Sequence, residues 1–314
     1  MLAVLLVAAA ACRSARPVAQ ASPAAAQRLP DAAGPRATSE PADGGASDGE
    51  TADAGTPDPL AEADAAFARG ETGKAIAICE DAALRSTDPA VLLVRAARAR
   101  KARIAAALAA TDGAASLPVV ARDAEACAAD AHRAWSVQFP SAGAQVDGTH
   151  PAAEIFAQVG AAGAEALYLE AVCSAAWART QGFTQLVERR VELIEELRRA
   201  AQLAPALDSA GPDRELGALY GALPSYAGGD LAEARRHFEA AAARAPGAAA
   251  NHLEFARAVA VKAQDRDLFE TQLKLAAASK EPGAAAQAAD LKSREDDLFG
   301  PAEAAQPTPG GAQK

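Results

Sequence analysis

The sequence predicts an all-α protein, a solenoid of stacked helical hairpins preceded by a disordered tether, and three observations predict it. Half of the 314 residues are hydrophobic but only 4% are aromatic. Alanine dominates while valine and isoleucine are sparse, a composition that favours closely packed helices over sheet. Between residues 60 and 299, glycine, proline and short polar runs divide the chain into about ten segments whose apolar residues recur at the helical period. Several of these segments also share one layout of turn glycine, small contact residue and stopping proline.

The charge balance narrows the function. Lysine plus arginine (31) against aspartate plus glutamate (41) leaves −10. Phosphate binding needs a basic surface, so nucleic acid is not an expected partner. No internal run approaches the roughly 20 apolar residues of a membrane span.

In chain order, residues 1–12 come first: an apolar stretch over 2–11 that ends at Cys12. The stretch is too short to span a bilayer but suits an export signal. Cys12 behind small residues resembles a bacterial lipoprotein processing site, which implies acylation of Cys12; a signal cleaved without lipidation and an unprocessed end are the other readings. Residues 13–59 are alanine, proline, glycine, aspartate, serine and threonine with almost no large apolar side chain. Such a stretch cannot bury enough surface to offset the entropy of ordering, and it reads as a flexible linker with an end-to-end reach of about 35–40 Å. Residues 300–314 read as a disordered tail.

The body, 60–299, is helical throughout. Its breaks are expected near Gly70–Gly73, Asp88–Pro89, Thr111–Pro118, Phe139–Pro151, Gly182, Ala204–Pro212, Leu223–Asp230, Ala245–Gly247, Gln264–Asp267 and Glu281–Gly283. Residues 186–201 give the clearest amphipathic pattern. Leu186, Val187, Val191, Leu193, Ile194, Leu197 and Ala200 form the apolar half; Glu188, Glu192, Glu195, Glu196 and Arg199 form the polar half. Glu195 is placed to pair with Arg199 one turn on. Asp230 with Glu233, and Asp267 with Glu270, read as acidic capping boxes. They precede the stripes Leu231, Ala234, Phe238, Ala241 and Phe269, Leu273, Ala276.

In 228–246, Gly229 makes a turn, Ala234 and Ala241 are small contacts, Phe238 is the large one and Pro246 is the stop. This layout resembles the second half of a tetratricopeptide repeat. Residues 70–89 follow it through Gly70, Ala75, Ile76, Ala82 and Pro89, and 184–205 through Ala200 and Pro205. No such pair buries its apolar face alone, so stacking must supply a continuous core.

Residues 211–230 carry a second resemblance. Gly211, Pro212, Arg214, Leu216, Gly217, Tyr220, then Leu223-Pro224, Gly228-Gly229-Asp230 and His237-Phe238-Glu239 are similar to the TatT family. That family is the T component associated with tripartite ATP-independent periplasmic (TRAP) transporters. The helix with Tyr168 and Trp177, and the later Gln264-Asp265-Arg266-Asp267-Leu268-Phe269, extend the resemblance over roughly 60–299. It implies a periplasmic, self-associating lipoprotein held to a membrane, the outer one first, by an N-terminal lipid. The implied partner is the extracytoplasmic substrate-binding protein of a TRAP transporter, with a small organic ligand handed between the two. An envelope scaffold for outer-membrane assembly or secretion is the alternative. Physically, Pro212 suits a first helical turn, where its missing N–H costs nothing. Gly217 inside a helix costs about 1 kcal/mol against alanine, so a close helix contact is its expected return.

Candidate ligand or partner residues are Arg214, Tyr220, Tyr226, Trp177 and Tyr168. Arg214 lies near a helix start, where a cation gains nothing from the dipole, and a structural ion pair competes with a binding role for it. An apolar opening near Tyr220 and Arg214 is expected if a ligand passes. Core packing is the competing reading for the four aromatics, as for Trp135. Cys79, Cys127 and Cys173 read as buried free thiols, and sequence alone distinguishes no disulfide pair. His132, His150, His237 and His252 show no metal-ligand spacing. There is no serine elbow and no phosphate-binding glycine loop. No catalytic activity, cofactor or metal is expected.

Overall fold

The computed structural model describes residues 58–109, 113–146 and 148–300, with backbone only at 113–116. The expected signal and Cys12, the linker as far as residue 57, and the tail beyond Gly300 lie outside the described residues. Among the described residues fifteen α-helices follow one another and no strand occurs. They are α1 (Pro59–Ala68), α2 (Thr72–Arg85), α3 (Ala90–Ala109), α4 (Gly113–Gln138), α5 (Pro140–Gly143), α6 (Ala152–Ala157), α7 (Ala164–Gln181) and α8 (Phe183–Leu203). Then come α9 (Gly211–Ala222), α10 (Leu231–Arg244), α11 (Ala249–Phe255), α12 (Val261–Ala263), α13 (Arg266–Ala277), α14 (Ala284–Ser293) and α15 (Glu295–Phe299). A π-helical stretch, Ala256–Ala260, joins α11 to α12 without a break.

Each long helix packs mainly on its neighbours in sequence, from α1 on α2 through α4 on α7 and α9 on α10 to α13 on α14. This serial stacking of helix pairs is the predicted solenoid logic: no helix hides its apolar face except against the next. Alanine makes the close approach possible. Ala96, Ala97, Ala124, Ala131, Ala171, Ala178, Ala200, Ala234 and Ala241 are all fully buried, and large side chains such as Trp135, Tyr168, Phe238 and Phe269 fill what remains. Gly217 shows the same principle at its limit. A Cβ there would lie 2.7 Å from the Phe238 ring, so only glycine lets α9 and α10 come this near.

The breaks fall largely where glycine and proline put them, with two exceptions. Pro118 lies inside α4. It sits on an exposed face near the start of the helix, where its missing N–H forfeits one hydrogen bond and no packing. A break also occurs at 158–163, between α6 and α7, where Gly163 is pressed against Val159 and Phe139.

The structure differs from the local expectations in five places. Glu195 pairs with Arg198 at 2.7 Å rather than with Arg199, whose guanidinium instead donates to the Val159 carbonyl at 2.8 and 3.0 Å. Val191 is exposed while Glu196 is buried, because the contact face of α8 is turned from the centre of its apolar stripe. Leu231 lies at the exposed edge of α10. Asp230 does cap α10, accepting from Ala232 and Glu233 N–H at 2.8 and 3.1 Å, but Glu233 turns to Arg236 at 2.5 Å. The cap of α13 is Asp265, accepting from Leu268 N–H at 2.9 Å, and Asp267 lies within the first turn.

The cysteines depart furthest from expectation. Cys127 of α4 and Cys173 of α7 form a disulfide with Cα atoms 5.9 Å apart. Cys79 is a buried free thiol, pushed up to about 11 by burial and by the nearby Asp64 carboxylate.

Candidate functional site

Four alternate helices of the stack, α3, α7, α9 and α11 with its π-helical extension, enclose a cleft of about 660 Å³. The lining follows the helical period on every wall: Lys101, Ile104, Ala105 and Leu108 from α3, and Val172, Ala176 and Arg179 from α7. Arg214, Glu215, Ala218, Gly221 and Ala222 line it from α9, and Ala250, Glu254, Arg257, Ala258 and Lys262 from the last wall. These spacings of three, four and seven put one stripe of each helix toward a common space.

One end of the cleft is closed by a polar cluster around Arg214. Its guanidinium meets the Asp208 carboxylate at 3.0 Å and the Asp208 carbonyl at 3.2 Å. It also reaches the Asn251 side-chain oxygen at 3.2 Å and the Tyr168 hydroxyl at 3.3 Å. Lys101 joins from α3, its ammonium 2.7 Å from Asp208 and 5.3 Å above the Tyr168 ring. Tyr168 donates its hydroxyl proton to Asp208. Burial opposes the Asp208 charge, but the Lys101 ammonium, its hydrogen bond, the Tyr168 hydroxyl and Arg214 outweigh it and hold the carboxyl below its usual range. Burial also pushes the Tyr168 phenol upward, so it stays a donor.

The cluster holds an unusual turn. Asp208, Ser209 and Ala210 all have positive φ, at 49°, 57° and 64°, conformations that cost a non-glycine residue about 1–2 kcal/mol each. Arg214 ties down the Asp208 carbonyl, and Asn251 donates to the Ser209 carbonyl at 3.0 Å. Gly211 is required beside it, since a Cβ there would fall 2.5 Å from the Tyr168 hydroxyl. The Gly-Pro-x-Arg run therefore combines a close approach, a first helical turn and a clamp.

At the far end Lys262 donates to the Gly221 carbonyl, and Gly221 lies against Ala258, where a Cβ would be 3.0 Å from the Ala258 side chain. From Tyr168 to Arg179, Arg214 to Gly221 and Asn251 to Lys262 the helices climb about 1.5 Å per residue, so the two ends lie roughly 10–16 Å apart. The four walls run in the same direction along it. The π-helical stretch falls in this wall, where one extra residue per turn displaces the backbone of Arg257 and Ala258.

Of the sequence-predicted residues, Arg214 lines the cleft and Tyr168 hydrogen-bonds to it. The other three lie apart. Tyr220 is buried on the opposite side of α9, stacked on His237 with ring centroids 5.9 Å apart and its hydroxyl accepting from Arg198 at 2.7 Å. Trp177 is half-buried beneath Arg189, whose guanidinium lies 4.7 Å from the ring. Tyr226 is 86% exposed on the α9–α10 connection. Lys101, Arg179, Asn251 and Lys262 were not singled out from the sequence. Each falls on a regular helical stripe with its wall, but every amphipathic helix has such stripes and only packing selects one.

Among the described residues, no group of three or more histidine, cysteine, aspartate or glutamate side chains is arranged to hold a metal ion. None of the described helices is long and apolar enough to cross a membrane. The chain matches the family model TAtT, TRAP transporter T-component, over residues 89–299. No curated protein matches it.

Proposed function

The chain belongs to the TRAP transporter T-component family, and we propose that it is a membrane-tethered, extracytoplasmic binding protein that exchanges a small organic ligand with the substrate-binding protein of such a transporter. The observation that carries this reading is the cleft between α3, α7, α9 and α11. Its volume falls within the roughly 300–1,000 Å³ of ordinary small-molecule sites, and its lining is mostly apolar, with polar groups at the ends and the Glu254–Arg257 ion pair on one wall. The process is noncovalent: Arg214, Tyr168 and Asn251 keep one end rigid, and the ligand enters and leaves by the open side. The Cys127–Cys173 bond supports an oxidising, extracytoplasmic compartment. Acylated Cys12 would supply the anchor and residues 13–59 the reach, with self-association of the helical domain and the outer membrane as the expected setting. Tyr226, exposed at the rim, is offered as a partner contact, and Tyr220 and Trp177 as packing that supports the walls.

Affinity purification of the full chain from solubilised membranes tests the reading. Recovery of a TRAP substrate-binding protein is the expected result. Recovery of outer-membrane assembly or secretion components without it would replace transport with a scaffold role.

A further inference from the structure

One buried cluster takes no part in the cleft. Glu196 of α8 is 5% exposed, and one of its carboxyl oxygens is sealed from water without a hydrogen-bond partner. It faces Glu170 of α7. Both oxygens of Glu170 are engaged from α4: one meets His132 Nδ1 at 3.0 Å and the other accepts from the Trp135 indole, an arrangement that suits a carboxylate. Within α8, Glu192 is a second negative neighbour, while Arg189, the opposing cation, is drawn over the Trp177 ring at 4.7 Å. The remaining ionisable groups of the helices packed on α8 have other partners or other surroundings. On α7, Glu165 binds Arg98 at 2.9 Å, Tyr168 binds Asp208 and Arg179 lines the cleft. Glu154 of α6 is exposed. On α9, Asp213 is held by His237 and Arg244, Arg214 and Glu215 line the cleft, and the Tyr220 hydroxyl takes Arg198.

Ionising Glu196 puts a second carboxylate beside the first in a dry interface, where like charges repel strongly. The repulsion cannot be relieved between α4 and α7, because the Cys127–Cys173 bond ties them together and Cys173 lies one turn from Glu170. It falls on α8, whose polar ties to its neighbours are the Arg199 bonds to the Val159 carbonyl and the Arg198 bond to Tyr220. We infer that Glu196, Glu170 and His132 form a proton-controlled latch: the protonated cluster holds α8 against the cross-linked pair α4–α7, and its deprotonation lets α8 lift and expose Leu193 and Leu197. The direction follows from the two native-state protons. Burial first, then Glu170 and Glu192, raise the Glu196 carboxyl well above its ordinary range, and the Glu170 hydrogen bond raises His132. Both groups hold their protons longer in the closed state than in an open one, so low pH favours closure and rising pH weakens it. His132, with its side chain 38% exposed, gives the cluster access to solvent protons. The inference stands whether or not a substrate-binding protein is recovered from membranes.

Deuterium exchange of the full chain tests the latch, read peptide by peptide in a mass spectrometer and divided by the intrinsic exchange rate at each pH. Each proton released shifts an opening equilibrium by up to about tenfold per pH unit. Protection of α8 peptides is therefore expected to fall by at least about tenfold between pH 6 and pH 8, while peptides of α4 and α7 beside the disulfide keep theirs. In E196Q, whose amide does not titrate, the fall over α8 should shrink several-fold, the remainder belonging to His132, and H132Q/E196Q should abolish it. Constant protection of α8 in the wild-type chain, or a fall of the same size in E196Q, would overturn the inference. So would a fall shared equally by α4, α7 and α8, which is the mark of global destabilisation rather than a latch. The wild-type series alone decides between the latch and these outcomes if a variant fails to fold.

Discussion

Arg214 sits nine-tenths buried in a shell of five oxygen atoms from Asp208, Asn251, Tyr168 and Glu215. A cation so placed is stable only because its partners are fixed; removing it leaves Asp208 to Lys101 and Tyr168, the 208–210 turn to Asn251, and the Asn251 side-chain oxygen without its donor. Arg214→Ala is therefore expected to destabilise the fold by about 1.5–3 kcal/mol, seen as a lower thermal midpoint in circular dichroism; a midpoint unchanged from wild type would argue that the clamp is dispensable. Glu196 is the opposite case. It is buried on α8 with one carboxyl oxygen lacking any partner. Burial first, then the Glu170 and Glu192 carboxylates, push its pKa well above the ordinary 4.5, against a smaller opposing effect of Arg189. Glu170 is itself engaged by His132 at 3.0 Å and by the Trp135 indole. A raised folded-state pKa means the native state holds the Glu196 proton longer than the unfolded chain. Its contribution to stability is thus full below about pH 4.5 and is lost as pH rises through the folded value. Glu196→Gln should gain stability over wild type as pH increases, at a slope of at most about 1.4 kcal/mol per pH unit. Urea unfolding at pH 4.5, 6 and 8 checks this, and a difference that stays flat across the series would refute it.

At the scale of elements, helix existence was largely legible and helix contact was not. Asp230 announced its helix because capping is decided within one turn, and Gly217 announced a close neighbour because little else explains a glycine inside a helix. Glu196 departs from its pattern for a related reason. The apolar stripe of α8 covers about half its circumference, but α7, α6 and α9 together cover more. Which polar residue is swallowed depends on where they land. The Cys127–Cys173 bond is likewise an event between elements, joining α4 to α7 across 46 residues of chain. A link of that span restricts the unfolded chain by about 4 kcal/mol in the loop-entropy account. Cys127→Ser/Cys173→Ser is expected to lower stability by about 2–4 kcal/mol, and reduction of the wild-type protein to do the same. If a reducing agent leaves the denaturation midpoint where it was, the cross-link is not contributing.

Across the whole molecule, the cleft depends on the order in which helix pairs stack. Only alternate helices reach it, so residues 101, 179, 214 and 262, separated by up to 161 positions, become neighbours through packing alone. Arg214 was visible in advance because it stands in a compact run with Gly211 and Pro212. Arg179 and Lys262 carried no such mark, being ordinary cations on the last turns of ordinary helices. What marks them is that they line the cleft without an ion pair among the described residues.

The residue order by itself determined the helical class, most of the turns, the Asp230 cap, the Gly217–Phe238 approach and the family. All of these are set by spacing within a few turns, where covalent connection fixes geometry. Only the tertiary structure decided that Glu196 is buried, that Cys127 meets Cys173 and that two cations are left unpaired at one end of a cleft. Periodicity states which side chains share a face, whereas burial and pairing depend on the distance between faces, which exists only once the helices have packed.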